Sequence, residues 1–458
     1  MTNKKYKVLD LFAGAGGFSY GLKKFKVKGC NPFIISGAVE IDTDAAETFI
    51  SSLVRDGMDP VKAGSIVITD DITKKETKEK LYKVCPKADV IIGGPPCQSF
   101  SLIGPRSGDV EKKNRFANDH RDNLFKDYIE IVNYYKPKVF VFENVKGISS
   151  KKNGDNFKYA DLIIESFEKI GYRLDLENQQ KKYLLLNSAE YGVPQFRERF
   201  FIIGNNIGYE NPVPEKTHCI ADQSGMIGLK PFINVRAAIG DLPFVMPKIT
   251  LTRHNNYMFS FNGEEWVKHI KSENEKRNNG KDPMKYHWDD FDRHYINCSD
   301  AEKQFLDFVK PRHRDALLTG HVARSHQMSD IKLFEGIPEG CSSAHLIDSK
   351  DPELKKLTGL IKYKMNSFRD KYKKMSWDRP SLTVFAHLQK DGNRFIHPDS
   401  RQARTITVRE AARLQSFPDE YEFKSSGNKR FKHIGNAVPP IMAMAIAKTI
   451  YKMLKSDY

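Results

Sequence analysis

Apolar residues in the first half of the chain fall in short, nearly unbroken runs: 7–13 (KVLDLFA), 33–41 (FIISGAVEI), 65–71 (SIVITDD), 89–94 (DVIIGG), 138–145 (KVFVFENV) and 198–204 (ERFFIIG). Short β-branched runs bounded by Gly, Pro or Asp predict strands buried on both faces. Helical periodicity fills the gaps, near 17–25, 43–54, 74–83, 122–135 and 156–170. Strand and helix therefore alternate, and the predicted fold is α/β: a doubly wound, mixed but mostly parallel sheet. Such sheets bind ligands beyond the carboxyl ends of their strands. Gly14, Glu40, Asp71, Pro95 and Glu143 all stand at that edge.

The alternation fails from about 244 to 385, a stretch rich in Asn, Asp, His and Trp, and ten of the thirteen histidines fall between His254 and His397. It reads as a second, smaller irregular domain. The predicted division is 1–243 for the sheet, 244–385 for the irregular domain and 386–458 for a return segment, whose final amphipathic helix packs back on the sheet.

Composition changes this picture little. Hydrophobic residues make up 40% of the 458, enough for a sizeable core, and no apolar run approaches the ~18 residues of a membrane span. The N-terminus enters a strand pattern at once, without the regions of a signal peptide, so a cytoplasmic location is expected and no membrane contact. Six cysteines without a C-x-x-C pair argue against zinc and against a disulfide framework; no metal is expected. Lys plus Arg exceeds Asp plus Glu by 74 to 58, a net +16 that would attract a polyanion but does not identify one.

The candidate chemistry lies in the loops. Asp10-Leu11-Phe12-Ala13-Gly14-Ala15-Gly16-Gly17-Phe18-Ser19 is a strand, a glycine-rich turn and a helix start, able to hold a dinucleotide, S-adenosylmethionine or nothing. Glu40 stands where an acid meets a ribose diol, which both cofactors own. Asp71-Ile72 brackets an adenine or caps a helix. In Gly93-Gly94-Pro95-Pro96-Cys97-Gln98-Ser99-Phe100-Ser101, two prolines fix the backbone just before a cysteine at a strand's end. Such a thiol faces the cleft as a nucleophile, with a buried structural cysteine as the bland alternative. Glu143, ending VFVFENV, opens into the same cleft, so a thiolate and a protonated carboxyl face one pocket. Gln195, Arg197 and Arg199 alternate along a predicted strand and share a face.

In these motifs the chain resembles the cytosine-5 DNA methyltransferases of bacterial restriction–modification systems. DLFAGAGGFS, Glu40, Asp71-Ile72, GPPCQSFS, ENV, QFRER, VREAARLQSFPD (408–419) and GNAVPP (435–440) follow the family's order over nearly the whole chain. The resemblance implies a Rossmann-like fold that binds S-adenosyl-L-methionine through Phe12, Gly14, Gly16, Gly17, Phe18, Glu40, Ile41, Asp71, Ile72, Pro96, Leu124, Asn436, Ala437 and Val438. In that reading Phe18 stacks on the adenine, and Asn436 to Val438 close the methionine end. It implies catalysis by Cys97 and Glu143 with Arg197 and Arg199 supporting the thiolate and the base, and contact with a flipped cytosine of double-stranded DNA through Gln98, Ser99, Arg106, Gln195 and Thr383. Residues 98–123 would form a basic lid carrying Arg106, Lys112, Lys113 and Arg115, with Gly104 and Gly108 as hinges. Residues 244–385 would be the target-recognition region. There the stretch 362–374 suits phosphate contact or a solvated face, and His321 and His326 suit a DNA-facing loop better than a metal. A monomer with a cognate restriction endonuclease encoded nearby is the expected setting. The rivals are a transfer-RNA cytosine-5 methyltransferase, which needs less surface between QFRER and VREAARLQ, a catalytically silent DNA-binding homologue, which the intact Cys97 and Glu143 oppose, and a nicotinamide-dependent oxidoreductase, which leaves the cysteine loop unexplained.

Overall fold

The computed structural model describes residues 4–96, 124–152, 157–177, 179–220, 228–248, 263–278, 281–311, 313, 316–363 and 369–456. In chain order the sheet half comprises β1 (Tyr6–Leu11), α1 (Gly17–Lys24), β2 (Phe33–Glu40), α2 (Thr43–Arg55), α3 (Pro60–Ile66), β3 (Val67–Thr69), α4 (Lys75–Val84), β4 (Val90–Gly93), α5 (Leu124–Tyr135), β5 (Val139–Val145), α6 (Tyr159–Lys169), β6 (Leu184–Asn187) and β7 (Glu198–Asn205). These strands form a sheet in the order β3-β2-β1-β4-β5-β7-β6, parallel except that β7 runs antiparallel to both β5 and β6.

The doubly wound layers follow from period-2 patterning on strands with two buried faces. In β5, Val139 and Val141 join Val8, Val90 and helices α1 and α2 on one side, while Phe140 and Phe142 join Leu9, Ile91 and helices α4 to α6 on the other. Two expectations need correction. The run at 65–71 begins inside α3, whose Asp59 cap and N-terminal proline extend the helix through Ile66. Gln195 and Arg197 do not lie on β7, which starts at Glu198; Gln195 instead bridges in parallel to Ser381. Strand β6 went unforeseen, because three leucines and an Asn are too short a pattern.

Beyond the sheet the irregular stretch is largely helical: α7 (Val235–Ile239), α8 (Gly263–Arg277), α9 (Trp288–Ile296), α10 (Asp300–Val309), α11 (Met328–Gly336), α12 (Ser343–Asp348) and α13 (Pro352–Lys356). The return segment carries α14 (Val408–Leu414), α15 (Lys429–Asn436) and α16 (Pro440–Ser456). Apolar packing runs through residues 243 and 385 without a break: Ala15 and Tyr20 share one core with Ile239, Phe291, Leu306, Val384, Leu414 and Ile434. A smaller cluster around Phe334, Leu346, Tyr372 and Ile396 is a separate satellite. Buried ion pairs fasten the junction. Arg413 meets Asp241 and Asp419, and Arg404 meets Glu410 with two bonds of 2.7 Å while donating to the Val245 carbonyl at 2.8 Å.

Helix α16 returns to the sheet by lying against α1. Gly21 makes the approach possible, since a Cβ there would overlap the Ala443 methyl and the Pro440 carbonyl. Gly21→Ala should therefore destabilise the protein by about 1–3 kcal/mol in urea unfolding, where the same change at an open helix site would stabilise it. A higher unfolding midpoint would contradict this packing. Asp10 supplies a second handle: it is buried on β1, accepts a 2.6 Å bond from Ser19 Oγ, and burial pushes its carboxyl from 3.8 up to about 7. The folded state then keeps a proton that the unfolded chain releases near pH 4, so this contribution to stability is complete below pH 3.8 and lost as pH rises to about 7. Asp10→Asn can still accept from Ser19 and cannot ionise. It should flatten the decline of unfolding free energy between pH 4 and 7; an unchanged slope would refute the assignment.

Candidate active site

Parallel pairing sets β4 beside β5 with Gly93 opposite Phe142, so the Gly94–Pro96 strap that leaves β4 runs alongside Glu143 and Asn144. The fit is close. A Cβ on Gly94 would lie 2.7 Å from Glu143 Oε2, and Asn144 Nδ2 donates to the Pro95 carbonyl at 3.1 Å. The other carboxylate oxygen, Oε1, pairs with Arg199 Nε at 3.2 Å. Antiparallel register explains the pairing, because Arg199 opposes Val145 and so lies diagonally across from Glu143 on the same face. Burial raises the Glu143 carboxyl above its ordinary range, and Arg199 and then Arg197 pull it back less strongly. Cys97, Gln98, Ser99 and Arg106, with the rest of the expected lid, lie outside the described residues.

At the end of β1, Phe12, Gly14 and Gly16 all adopt left-handed backbone, with φ of 57°, 56° and 79°. Gly14 N donates to Glu40 Oε2 at 2.7 Å and Asp42 N to Glu40 Oε1 at 2.8 Å, which fixes the acid beside the turn with lone pairs to spare. Ile41 next to it is 65% exposed, an apolar side chain left open at the strand edge. Ile72 is buried, and Leu124 is half-buried against the sheet's second core. Asp71 accepts from Thr73 N at 3.0 Å and from Thr73 Oγ1 at 2.9 Å, a local turn ahead of α4, whose cap position is Lys74. Gly17 touches the return segment: its missing Cβ would lie 2.5 Å from the Val438 carbonyl. Ala437 and Val438 are buried at this contact, whereas Asn436 and Pro96 are exposed.

Several expected roles do not fit this geometry. Phe18 is 4% exposed within the core, so its ring has no face to offer a ligand; the half-exposed aromatic at this turn is Phe12. Gln195 is fully buried, its amide bonded to Val384 N, Leu414 O and Gln415 Oε1, so it cannot reach a DNA groove. Arg197 is buried as well and donates to the carbonyls of Val384, Gly435 and Ala437. Thr383 Oγ1 donates to Phe196 O at 2.7 Å, beside the same bridge. His321 is neither DNA-facing nor a ligand: its ring is buried between Thr407 Oγ1 and the Pro243 carbonyl, and His326 lies against Thr405. In the basic stretch, Lys362 pairs with Asp330, Arg369 with Asp348 and Lys371 with Asp391, while Lys374 is buried on Ser400, so these cations are already engaged within the protein. Residues 364–368 lie outside the described set.

Two site residues drew no role from the sequence. Asn144 was visible only as an amide beside Glu143 at the end of an apolar strand, and Gln415 as one of two polar residues between the buried Leu414 and Phe417.

A family model described as C-5 cytosine-specific DNA methylase matches residues 6–452. The type II methyltransferase M.Bpa9945I of Bacillus paralicheniformis is 32% identical over 383 residues, covering 82% of this chain and 73% of the relative. M.AgeI of Thalassovita gelatinovora is 30% identical over 475 residues, covering 97% and 99%, and M.DdeI of Desulfomicrobium norvegicum 30% identical over 456, covering 97% and 88%. The chain belongs to the C-5 cytosine-specific DNA methylase family, and its chemistry is DNA cytosine-5 methylation.

Proposed function

We propose that the chain methylates C5 of a cytosine flipped out of a specific duplex sequence, using S-adenosyl-L-methionine, and that this protects host DNA from a restriction endonuclease encoded nearby. The observation that carries this reading is the two-sided environment of Glu143. Arg199 fixes one carboxyl oxygen, and the other faces the strap that leads into Cys97. The type II relatives favour DNA over transfer RNA as the substrate.

The turn fits a nucleoside bearing a ribose diol. Glu40 is held by two backbone amides beside the left-handed Phe12–Gly16 turn, and Phe12 and the exposed Ile41 offer apolar surface to an adenine. Residues 436–438, lying against Gly17, would close the far end. When bound, the cofactor supplies an electrophilic methyl group on a positively charged sulfur.

Catalysis on this chain's side begins with the Cys97 thiolate forming a bond to cytosine C6. Glu143, its carboxyl raised above the ordinary range by burial, donates a proton to N3 as electron density moves into the ring, and C5 becomes nucleophilic. After C5 gains the methyl group, its proton leaves to solvent base, the C6–S bond breaks, the N3 proton returns to Glu143 and the thiolate departs. Arg199 orients the acid throughout, and Asn144 fixes the strap through Pro95. Residues 244–385 serve as the sequence-reading part in this proposal, with Thr383 set beside the target base.

Two measurements test the reading. Duplex DNA carrying 5-fluorocytosine, incubated with enzyme and S-adenosyl-L-methionine, should yield a denaturation-resistant adduct with wild type and none with Cys97→Ser; adducts formed only on transfer RNA would overturn the DNA assignment. Glu143→Gln, which keeps the shape but cannot supply a proton, should lower kcat by roughly 10²–10⁴ in single-turnover assays, with cofactor affinity little changed. A loss below tenfold would remove Glu143 from the acid's role.

A further inference from the structure

The side chains of Gln195 and Gln415 form a directional chain of hydrogen bonds across the middle of the molecule. Val384 N donates to Gln195 Oε1 at 2.8 Å, Gln195 Nε2 to Gln415 Oε1 at 2.6 Å, and Gln415 Nε2 to the Ala437 carbonyl at 2.6 Å. Arg197 spans the same two ends in parallel. Its Nη1 holds the Val384 carbonyl at 2.7 Å, and its Nη2 holds the carbonyls of Gly435 at 2.9 Å and Ala437 at 3.1 Å. Val384 is thus fixed through both of its main-chain polar groups, and Ala437 O accepts from both routes. All three side chains are buried, so neither route is loosened by water.

Two local features show that the junction is held closely. Gly435 packs against the backbone of Phe385 and Ala386, where a Cβ would overlap main-chain atoms. Ser416, directly after Gln415, has φ of 61°, a left-handed conformation costing on the order of 1 kcal/mol that persists where surrounding contacts impose it. Its Oγ accepts from Ile441 N at 3.2 Å, so this turn also anchors the start of α16.

We infer that Gln195, Arg197 and Gln415 are positioning residues that couple the segment closing on the cofactor, 435–438, to the segment beside the target base, 383–384. Beside the close packing of Gly435 on Phe385 and Ala386, the hydrogen-bonded path from Ala437 to Val384 runs through these three side chains. The inference rests on the cofactor and target-base placements of the proposed function. Ordering of 435–438 by a bound nucleoside restrains Ala437 O, and through Gln415 and Arg197 restrains Val384 and its neighbour Thr383. By linkage, a base seated at Thr383 tightens cofactor binding by the same factor.

Amide hydrogen exchange of the full chain, with and without S-adenosyl-L-homocysteine, reads this coupling without knowledge of the recognition sequence. In wild type the ligand should slow exchange about tenfold or more both at 435–438 and at 382–385. In Gln415→Leu the slowing at 435–438 should persist while that at 382–385 falls to about threefold or less, the remainder carried by Arg197. Gln415→Glu guards against simple misfolding, because it keeps the shape and the acceptor for Gln195 but loses the donor to Ala437 O when ionised. Its coupling should be weak at pH 8 and return as the pH is lowered and the carboxyl gains a proton, a recovery that a purely structural role would not show. Equal slowing at 382–385 in wild type and Gln415→Leu, or slowing at 435–438 alone in wild type, would overturn the inference. Failure of the ligand to slow either 12–17 or 435–438 in wild type would instead sink the cofactor placement, and the coupling with it.

Discussion

The arrangement of the site depends on a buried guanidinium. Arg197 is 1% exposed, and its hydrogen bonds among the described residues go to three main-chain carbonyls, those of Val384, Gly435 and Ala437. Removing such a cation from water costs several kcal/mol, and each bond from a charged donor returns about 1.5–3 kcal/mol. Only the full set offsets the cost. The two distant segments must therefore arrive together or the cation is stranded, which makes their meeting close to all-or-none. Cofactor turn, acid strand and return segment are brought into register by this requirement as much as by the sheet.

Most of the sheet was legible because a strand buried on both faces leaves a continuous apolar run that no other element mimics at that length. β5 is the clearest case, with Val139 and Val141 facing one core and Phe140 and Phe142 the other. The turn after β1 and the placement of Glu143 followed, since carboxyl ends of parallel strands are the one edge where polar residues interrupt such runs. What misled was polarity read as exposure. Gln195, Arg197, His321 and Lys374 look like surface residues in the sequence, and all four are buried with main-chain or hydroxyl partners supplied by segments 26 to 240 positions away. No local pattern encodes a partner at that separation. Phe18 failed for the opposite reason: an aromatic beside a glycine turn reads as a stacking platform, yet α1 turns it inward, leaving Phe12 at the open edge.

Glu143 shows how the same fold reconciles two opposed demands on one group. In its proposed role, an acid that donates to a ring nitrogen needs a raised pKa, which burial favours, and a fixed orientation, which a nearby cation provides at the expense of that rise. The antiparallel register of β7 divides the two oxygens between these tasks. Oε1 meets Arg199 at the diagonal position, and Oε2 is left toward the strap. A parallel neighbour to β5 would carry its own residues past this edge in the same direction and would not return an arginine to it. The reversal of β7 thus has a chemical consequence as well as a topological one.

The satellite core around Phe334, Leu346 and Tyr372 obeys a different logic. Lys362, Arg369 and Lys371 are paired within it by Asp330, Asp348 and Asp391, so that part keeps its shape by its own contacts. It joins the main core through the bridge of Ile396 to Thr405 and through Met375 N, which donates to the Ile396 carbonyl at 3.0 Å. Under the proposed reading of residues 244–385, a unit attached in this way can change its outer surface without disturbing Glu143, the strap or the cofactor turn, provided these links and the three buried side chains at 195, 197 and 415 persist. Variation in target and constancy in chemistry are then separated by the contacts that hold the two cores together, not by a linker between domains.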